Sequence, residues 1–136
     1  MIITPIQLRW SDFDILRHVY NGRYQEFYDA GKSEYFELVL DMQLSWTTTT
    51  EGFITAQTTT NYYSPIEFGQ SVEVFTRVEN IGNKSVVMFQ QIRDVVNAEV
   101  KSDSRSVMVG YNPQSKETFE IPENWRKLIE TEENQK

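Results

Sequence analysis

Near the start of the chain, apolar and small residues recur every three or four positions, and charged residues fill most of the positions between them. This spacing predicts a helix from about Asn21 to about Leu40, with a buried face made of Tyr24, Phe27, Tyr28, Gly31, Tyr35, Leu38 and Val39. Asn21 is the predicted N-cap, because its side-chain oxygen can accept from the free N–H groups of the first turn. Gly31 costs about 1 kcal/mol against alanine inside a helix, which indicates close packing there.

Strand-like segments lie on both sides of this helix. The segment "IITPIQLRW" before it is typical of extended chain, and Pro5 suits an edge or the start of a strand. After it come "GFITAQTTTNYYSPI" and "VKSDSRSVMVGYNP", which both predict long strands. Between these two, the tight-turn signal "IGNKS" joins "SVEVFTRVEN" to "SVVMFQQIRD". That arrangement predicts a hairpin whose first strand has one face formed by Val72, Val74, Thr76 and Val78.

This order of elements predicts an α+β fold, with the apolar face of an antiparallel sheet packed on one long helix. The segment "IPENWRKLIE" adds a short amphipathic helix with Trp125, Leu128 and Ile129 on one side. We expect the tail from about residue 131 to residue 136 to be frayed. A length of 136 residues suits a single domain spanning 1–136. Long open sheet edges invite pairing with a second chain, so a dimer is favoured over a monomer.

Composition and charge narrow the functional classes. The net charge of -7, without a long basic run, argues against a nucleic-acid partner, although a small anionic ligand can still be held by a few cations or N–H groups. The absence of cysteine excludes thiolate catalysis and disulfides, and a single histidine excludes metal sites built on several imidazoles. No metal or cofactor is therefore predicted. The sequence has no secretory signal pattern and no apolar run of transmembrane length, which favours a soluble cytoplasmic protein.

The stretch "SDFDILRHVYNG" contains the candidate chemistry. A carboxylate just before a helix start lies near free N–H groups, and the same N–H groups can polarise a substrate carbonyl. A carboxylate base or nucleophile beside such a carbonyl is a minimal hydrolysis site that needs neither metal nor cysteine. On residue types alone, Asp12 and Asp14 are more commonly turn and capping residues, and His18 is more commonly solvated. The chain has no G-x-S-x-G serine motif and no glycine-rich phosphate-binding motif.

Three segments, in order and with similar gaps, resemble one known family. "RWSDFDILRHVYNGRYQEFYDAGKSEYF", "YYSPIEFGQSVEV" and "GNKSVVMFQQI" are similar to the 4-hydroxybenzoyl-CoA thioesterase-like branch of the hotdog-fold acyl-CoA thioesterases. The likeness covers about residues 7–113. It implies a hotdog fold, in which an antiparallel sheet wraps a long helix.

The resemblance also implies an activity and a set of site residues. It implies hydrolysis of an acyl-CoA or acyl-carrier-protein (acyl-ACP) thioester, with Asp14 as general base or nucleophile. The N–H of Asn21, with Tyr20 beside it, would polarise the thioester carbonyl. The "GNKS" turn resembles the segment that meets the CoA arm, which makes Lys84 and Ser85 substrate-binding candidates. Family active sites form between two subunits, so a homodimer or homotetramer is expected.

Two departures from the family pattern are visible. Arg17 stands where the family usually has glycine, and it either restricts the turn or reaches toward an anionic substrate. Trp10, two positions before the first aspartate, is predicted to narrow the acyl pocket. The aromatic residues Tyr24, Phe27, Tyr28 and Trp46 could line that pocket, but helical spacing is more typical of core residues.

Two other functions fit the same residues. One is a non-catalytic protein that binds acyl thioesters. The other is an enoyl-thioester hydratase or dehydratase in which Asp14 and His18 form an acid–base pair.

Overall fold

The computed structural model describes residues 1–42 and 51–135, and the candidate pocket residue Trp46 lies outside them. Two single 3₁₀ turns, Trp10–Asp12 and Asn21–Arg23, precede the long helix. The regular elements in chain order are β1 (Ile2–Ile6), α1 (Tyr24–Leu40), β2 (Gly52–Tyr62), β3 (Val72–Ile81), β4 (Ser85–Asp94), β5 (Val100–Asn112), β6 (Glu117–Thr118) and α2 (Glu123–Glu133). The mixture of helices with an antiparallel sheet confirms the predicted α+β class.

The strands form one antiparallel sheet in the order β1-β3-β4-β5-β2, with the short β6 added beside β5. The predicted hairpin is confirmed, because β3 pairs with β4 from Val72 opposite Asp94 to Ile81 opposite Val86. Pro5 lies in β1, which forms one edge of the sheet, as expected of a residue with no N–H to donate. The other edge is β2, an eleven-residue strand that is largely exposed on both faces.

Helix α1 packs across the inner face of β1 and β3. Gly31 is the point of closest approach, since a Cβ there would lie 2.7 Å from Thr76 Oγ1, 2.8 Å from Gln90 Nε2 and 2.9 Å from a Val74 methyl. The close packing predicted at Gly31 is therefore confirmed. The predicted inner face of β3 is also confirmed, because its four residues are all buried: Val72, Val74, Thr76 and Val78.

The sequence placed the helix start three residues too early. The chain enters α1 through the tighter 3₁₀ turn, in which Arg23 N–H donates to Tyr20 O at 2.9 Å. Asn21 is consequently the first residue of that turn and makes no side-chain capping bond, so its assignment as N-cap is wrong. Leu38 is also misplaced, because it is 62% exposed on the solvent side of α1.

Two apolar clusters lie along α1. The first cluster surrounds the helix start and consists of Val19, Tyr24, Phe27, Tyr28, Ile66, Val72, Val74 and Ile92. The second cluster surrounds the helix end and α2 and consists of Tyr35, Leu40, Val78, Val86, Met88, Met108, Ile121, Trp125 and Ile129. Thr76 and Gln90 are buried polar residues beneath Gly31, and Gln90 Nε2 donates to Thr76 Oγ1 and to Tyr28 O.

Helix α2 covers the end of the sheet with Trp125 and Ile129 buried, as predicted, while Leu128 is 43% exposed. The helix continues to Glu133, so residues 131–133 of the tail that was expected to be frayed are helical. The Glu133 carboxylate accepts from Val78 N–H at 3.1 Å and from the Tyr35 hydroxyl, which fastens the last turn of α2 to the sheet. Within residues 1–42 and 51–135, neither helix combines the length and apolarity needed to cross a membrane.

Candidate active site

Asp14 lies in a tight loop that is closed by its own backbone. Asp14 N–H donates to His18 O at 2.9 Å, and Arg17 N–H donates to Asp14 O at 3.0 Å. The Asp14 carboxylate completes the turn, because its Oδ1 accepts from Leu16 N–H at 2.9 Å and from His18 N–H at 3.3 Å. Its second oxygen, Oδ2, accepts no hydrogen bond from the described residues. The side chain is therefore oriented through one oxygen, and the other is available to a substrate or a water molecule.

Arg17 closes this turn in a left-handed conformation, with φ of 61°. That region is costly for a residue with a Cβ and free for glycine, which explains why glycine is usual at this position in the family that the sequence resembles. Arg17 O accepts from Phe68 N–H at 3.0 Å, so the turn is also tied to the β2–β3 connection.

Asp12 is fully buried and holds the loop in place through hydrogen bonds. Its carboxylate accepts from Arg9 N–H at 2.8 Å and from the Arg9 guanidinium at 3.0 Å, with Arg23 Nε 3.6 Å away. Burial raises the pKa of Asp12, but the Arg9 hydrogen bonds and the two guanidinium charges lower it by more, so the net pKa is below the usual range. Asp12 O also accepts from Tyr20 N–H at 2.8 Å, which joins the loop to the helix start. Asp12 thus has a structural role.

The N–H groups of Asn21 and Gly22 precede the first hydrogen bond of the 3₁₀ turn that leads into α1. Such leading N–H groups have no partner inside the helix and carry partial positive charge. They are suited to donate hydrogen bonds to a ligand oxygen beside Asp14.

A cleft of about 420 Å³ brings these groups together. Asp14 and Asn21, the two predicted catalytic residues, both line it. The full lining is Asp14, His18, Val19, Asn21, Tyr24, Tyr62, Tyr63, Ser64 and Pro65. The exposed carboxylate of Asp14 and the helix-start residue Asn21, whose N–H has no partner among the described residues, therefore share one cavity, which is the arrangement needed to activate water or attack a carbonyl directly.

The far wall of the cleft, Tyr62–Pro65, was not among the predicted site residues. The "YYSP" motif in the sequence marks the end of β2, and only the fold brings it into the same cleft as Asp14. Tyr62 packs edge-on against Tyr24, with ring centroids 5.0 Å apart, and burial raises the pKa of Tyr24. The Tyr63 hydroxyl donates to Asp103 Oδ2 at 2.7 Å, and this bond raises the pKa of Tyr63.

The other predicted substrate-binding residues lie outside this cleft. Tyr20 and Arg17 flank the loop without lining the cavity. Lys84 and Ser85 follow the far end of β3, roughly 30 Å from the cleft at about 3.3 Å per residue. Lys84 Nζ contacts Thr118 Oγ1 at 3.5 Å.

The aromatic residues are distributed differently from the predicted pocket. Trp10 is 73% exposed and does not line the cleft, so the prediction that it narrows an acyl pocket is not supported within one chain. Phe27 and Tyr28 are buried in the first apolar cluster, as helical spacing favours, and Tyr24 contributes both to that cluster and to the cleft. Across residues 1–42 and 51–135, no group of three or more His, Asp or Glu side chains is arranged to hold a metal.

Solved structures similar to this chain carry thioesterase descriptions. A predicted thioesterase from Bacillus stearothermophilus is 28% identical, with a TM-score of 0.84 over 95% of this chain and 93% of that chain. A Thermus thermophilus thioesterase complexed with coenzyme A and Zn is 22% identical, with a TM-score of 0.81 over 98% and 95%. The DHNA-CoA thioesterase of Staphylococcus aureus is 16% identical, with a TM-score of 0.80 over 96% and 89%. No curated protein matches the chain.

These similarities confirm the hotdog fold expected from the sequence. The pattern of the family described as "Thioesterase-like superfamily" matches residues 8–129, which is most of the chain. The protein therefore belongs to the thioesterase-like superfamily.

Proposed function

We propose that the protein hydrolyses the thioester of an acyl-CoA, or of an acyl-ACP, to a free acid and a thiol. The observation that carries this proposal is that Asp14 and Asn21 line one cleft, with Asp14 Oδ2 accepting no hydrogen bond from residues 1–42 or 51–135. Family membership supports thioester chemistry, and the Thermus thermophilus neighbour bound to coenzyme A supports a CoA-type substrate. The cytoplasmic location expected from the sequence stays a prediction.

In the proposed reaction, the thioester carbonyl oxygen accepts from the N–H of Asn21 at the helix start. Asp14 removes a proton from water as the water oxygen bonds to the carbonyl carbon. The resulting oxyanion is stabilised by the same N–H, and its collapse breaks the carbon–sulfur bond and releases the thiolate. Alternatively, Asp14 Oδ2 attacks the carbon itself, the carbon–sulfur bond breaks with release of the thiolate, and water hydrolyses the resulting mixed anhydride to the free acid and the Asp14 carboxylate. A positioned base contributes about 10²- to 10⁴-fold, and an oxyanion donor about 10²- to 10³-fold.

We further propose that the active unit is a homodimer joined through β2. This strand is long, largely exposed on both faces and has one backbone edge to which no other described strand pairs, and such an edge is the usual template for pairing with another chain. Antiparallel pairing of two β2 strands about a two-fold axis would place the start of one strand beside the end of the other.

Such a dimer would bring Lys84 and Ser85 of one chain close to the cleft of the other chain. The β4 start of the second copy would lie three strand spacings from Tyr62, or about 14 Å at about 4.8 Å per spacing. Lys84 and Ser85 of the second copy could then meet the CoA arm, while Tyr20 and Arg17 flank the thioester from the chain that supplies Asp14. A homotetramer would add a second interface without altering this arrangement.

The test is thiol release from acyl-CoAs of graded length and aromaticity, measured with wild-type protein and with Asp14→Asn. We expect the variant to lose at least about 100-fold in kcat, because the amide is neither a base nor a nucleophile. Its stability should fall by only about 1 kcal/mol, since Asn can retain the turn. Asp41→Asn, at an exposed left-handed residue outside the cleft, is the matched control and should keep full activity. Near-wild-type turnover by Asp14→Asn would refute the proposal.

One observation favours a second candidate. His18 lines the same cleft as Asp14, so the two could act as an acid–base pair in hydration of an enoyl thioester. Hydration of an enoyl-CoA without thiol release, lost in His18→Ala, would support this reaction instead. Tight acyl-CoA binding with no thiol release, unchanged by Asp14→Asn, would indicate a non-catalytic binding protein.

A further inference from the structure

The wall of the cleft formed by residues 62–65 is largely exposed, yet three of its residues are held by separate contacts: Tyr62, Tyr63 and Ser64. Tyr63 is 59% exposed and has little packing to hold its ring. Its hydroxyl donates to Asp103 Oδ2 at 2.7 Å, while Asn61 Nδ2 donates to Asp103 Oδ1 at 3.0 Å. One carboxylate therefore holds two side chains of the same segment, one with each oxygen.

Asp103 is placed for this role by the register of the sheet. It lies directly opposite Asn61 in the β2–β5 pair, and Tyr63 follows two residues later on the same face. Among the described residues, Asp103 forms no ion pair, although Arg105 is close by in β5 and pairs with Glu79 instead. One of its oxygens thus holds the wall residue Tyr63, and the other holds Asn61, two residues earlier in the chain.

The next wall residue is held from the start of β5 as well. Ser64 Oγ donates to Glu99 Oε1 at 3.1 Å, and the buried Lys101 ammonium pairs with the same carboxylate. Lys101 O accepts from both Tyr63 N–H at 2.9 Å and Ser64 N–H at 3.2 Å. Glu99, just before β5, and Lys101, within it, therefore hold the wall through a side chain and through the backbone, respectively.

We propose that Asp103 is a positioning residue that sets the width of the cleft through Tyr63 and Asn61, and so controls substrate affinity without taking part in bond breaking. This inference rests on the proposed function, because it assigns the cleft to the substrate. Glu99 plays the same part for Ser64. Neither carboxylate touches the reacting atoms, which lie at Asp14 on the opposite wall.

The test compares kcat and KM for Tyr63→Phe, Asp103→Ala, the double variant and Asp103→Asn, on the acyl-CoA that wild type cleaves best. We expect each single truncation to raise KM about threefold to tenfold and to leave kcat within about twofold. The double variant should be no worse than the worse single variant, because both remove the same contact. Asp103→Asn should restore KM to within about twofold of wild type, since its amide oxygen still accepts from the Tyr63 hydroxyl.

Glu73→Ala is the matched control, because Glu73 is a carboxylate on the same face of the sheet that makes no contact with the wall. It should change neither KM nor kcat. Additive effects of the two single variants, an unchanged KM in Asp103→Ala, or equal losses in kcat and KM with no rescue by Asp103→Asn would each overturn the proposal.

Wild-type thiol release decides the proposed function separately. If the wild type binds coenzyme A without cleaving thioesters, the same variants are compared with wild type by their Kd for coenzyme A, measured by calorimetry. A raised Kd in Asp103→Ala, with rescue by Asp103→Asn, would then support the positioning role although the hydrolysis had failed. A wild type that neither cleaves acyl-CoA nor binds coenzyme A would overturn both.

Discussion

At the scale of single residues, two substitutions of Arg17 distinguish the effect of its strained backbone on stability from the effect of its charge on substrate binding. Its φ of 61° penalises any side chain with a Cβ, so Arg17→Gly should be about 1 kcal/mol more stable than Arg17→Ala. Urea unfolding of the two variants measures this difference. Both variants lack the guanidinium, so a rise in KM common to both would indicate that the charge meets the substrate. An alanine variant at least as stable as the glycine variant would contradict the strain.

The buried Asp12 gives the fold a dependence on pH. Its pKa is lowered in the folded protein, so between the folded and unfolded pKa values the unfolded chain binds more protons, and stability rises with pH. The contribution of Asp12 is fully present above the ordinary Asp pKa of about 3.9 and is lost as pH falls through the lower folded value.

Asp12→Asn should therefore be about 2 kcal/mol less stable than wild type at pH 7, because the Arg9 N–H and guanidinium lose a charged acceptor. The difference should shrink as the pH falls below about 4. Urea unfolding at a series of pH values measures it. A gap between the two proteins that stays constant down to about pH 2 would show that the ionised form of Asp12 is not what stabilises the loop.

At the scale of elements, the contact of α1 with the sheet depends on the missing side chain at Gly31. Alanine has a better helix propensity by about 1 kcal/mol, but its Cβ would lie within 3 Å of three buried side chains of the sheet, those of Val74, Thr76 and Gln90. We expect Gly31→Ala to destabilise the protein by about 1–3 kcal/mol in urea unfolding. Ser33→Ala, on the exposed side of the same helix, should gain a few tenths of a kcal/mol and serves as control. A stabilised Gly31→Ala would mean that the helix moves away easily.

The sequence predicted the elements whose signals are local. The helical spacing along α1 and the alternating residues of β3 reflect burial on one face, and "IGNKS" is a local turn signal. The hairpin and the β3 face are confirmed, and the α1 prediction is confirmed except for its start and for Leu38. The helix start was misjudged because Asn21 begins a 3₁₀ turn, whose i to i+3 hydrogen bonds and tighter winding leave no clear mark in the sequence.

The residues of the candidate site likewise include some that one local segment predicts and others that only the fold brings together. Asp14 and Asn21 are close in sequence, so their shared cleft could be anticipated from one segment. The wall at Tyr62–Pro65 is brought there by the pairing of β2 with β5, which periodicity does not specify. Lys84 is far from the cleft in its own chain, so its proposed role depends on a second copy.

At the scale of the whole molecule, the proposed dimer can be tested with mixed subunits. A dimer containing one Asp14→Asn chain and one Lys84→Glu chain would hold one intact site if Lys84 serves the neighbouring chain. We expect this mixed dimer, isolated with two affinity tags, to regain about half of the wild-type kcat with a wild-type KM. Each homodimer should be impaired, in kcat for Asp14→Asn and in KM for Lys84→Glu. A mixed dimer with the raised KM of the Lys84→Glu homodimer would show that Lys84 acts within its own chain.

The two apolar clusters along α1 allow substitutions at one end of the helix to affect stability independently of substitutions at the other end. The cluster at the helix start supports the cleft, the cluster at the helix end supports α2, and they share no residue. Substitutions in separate clusters without common partners usually add in their effects on stability. If substitutions near Tyr24 give a new acyl preference but lower the stability of the protein, better packing around Trp125 can therefore restore that stability. Stability gained at the end of the molecule that carries α2 can thus offset destabilising substitutions that change the specificity of the cleft.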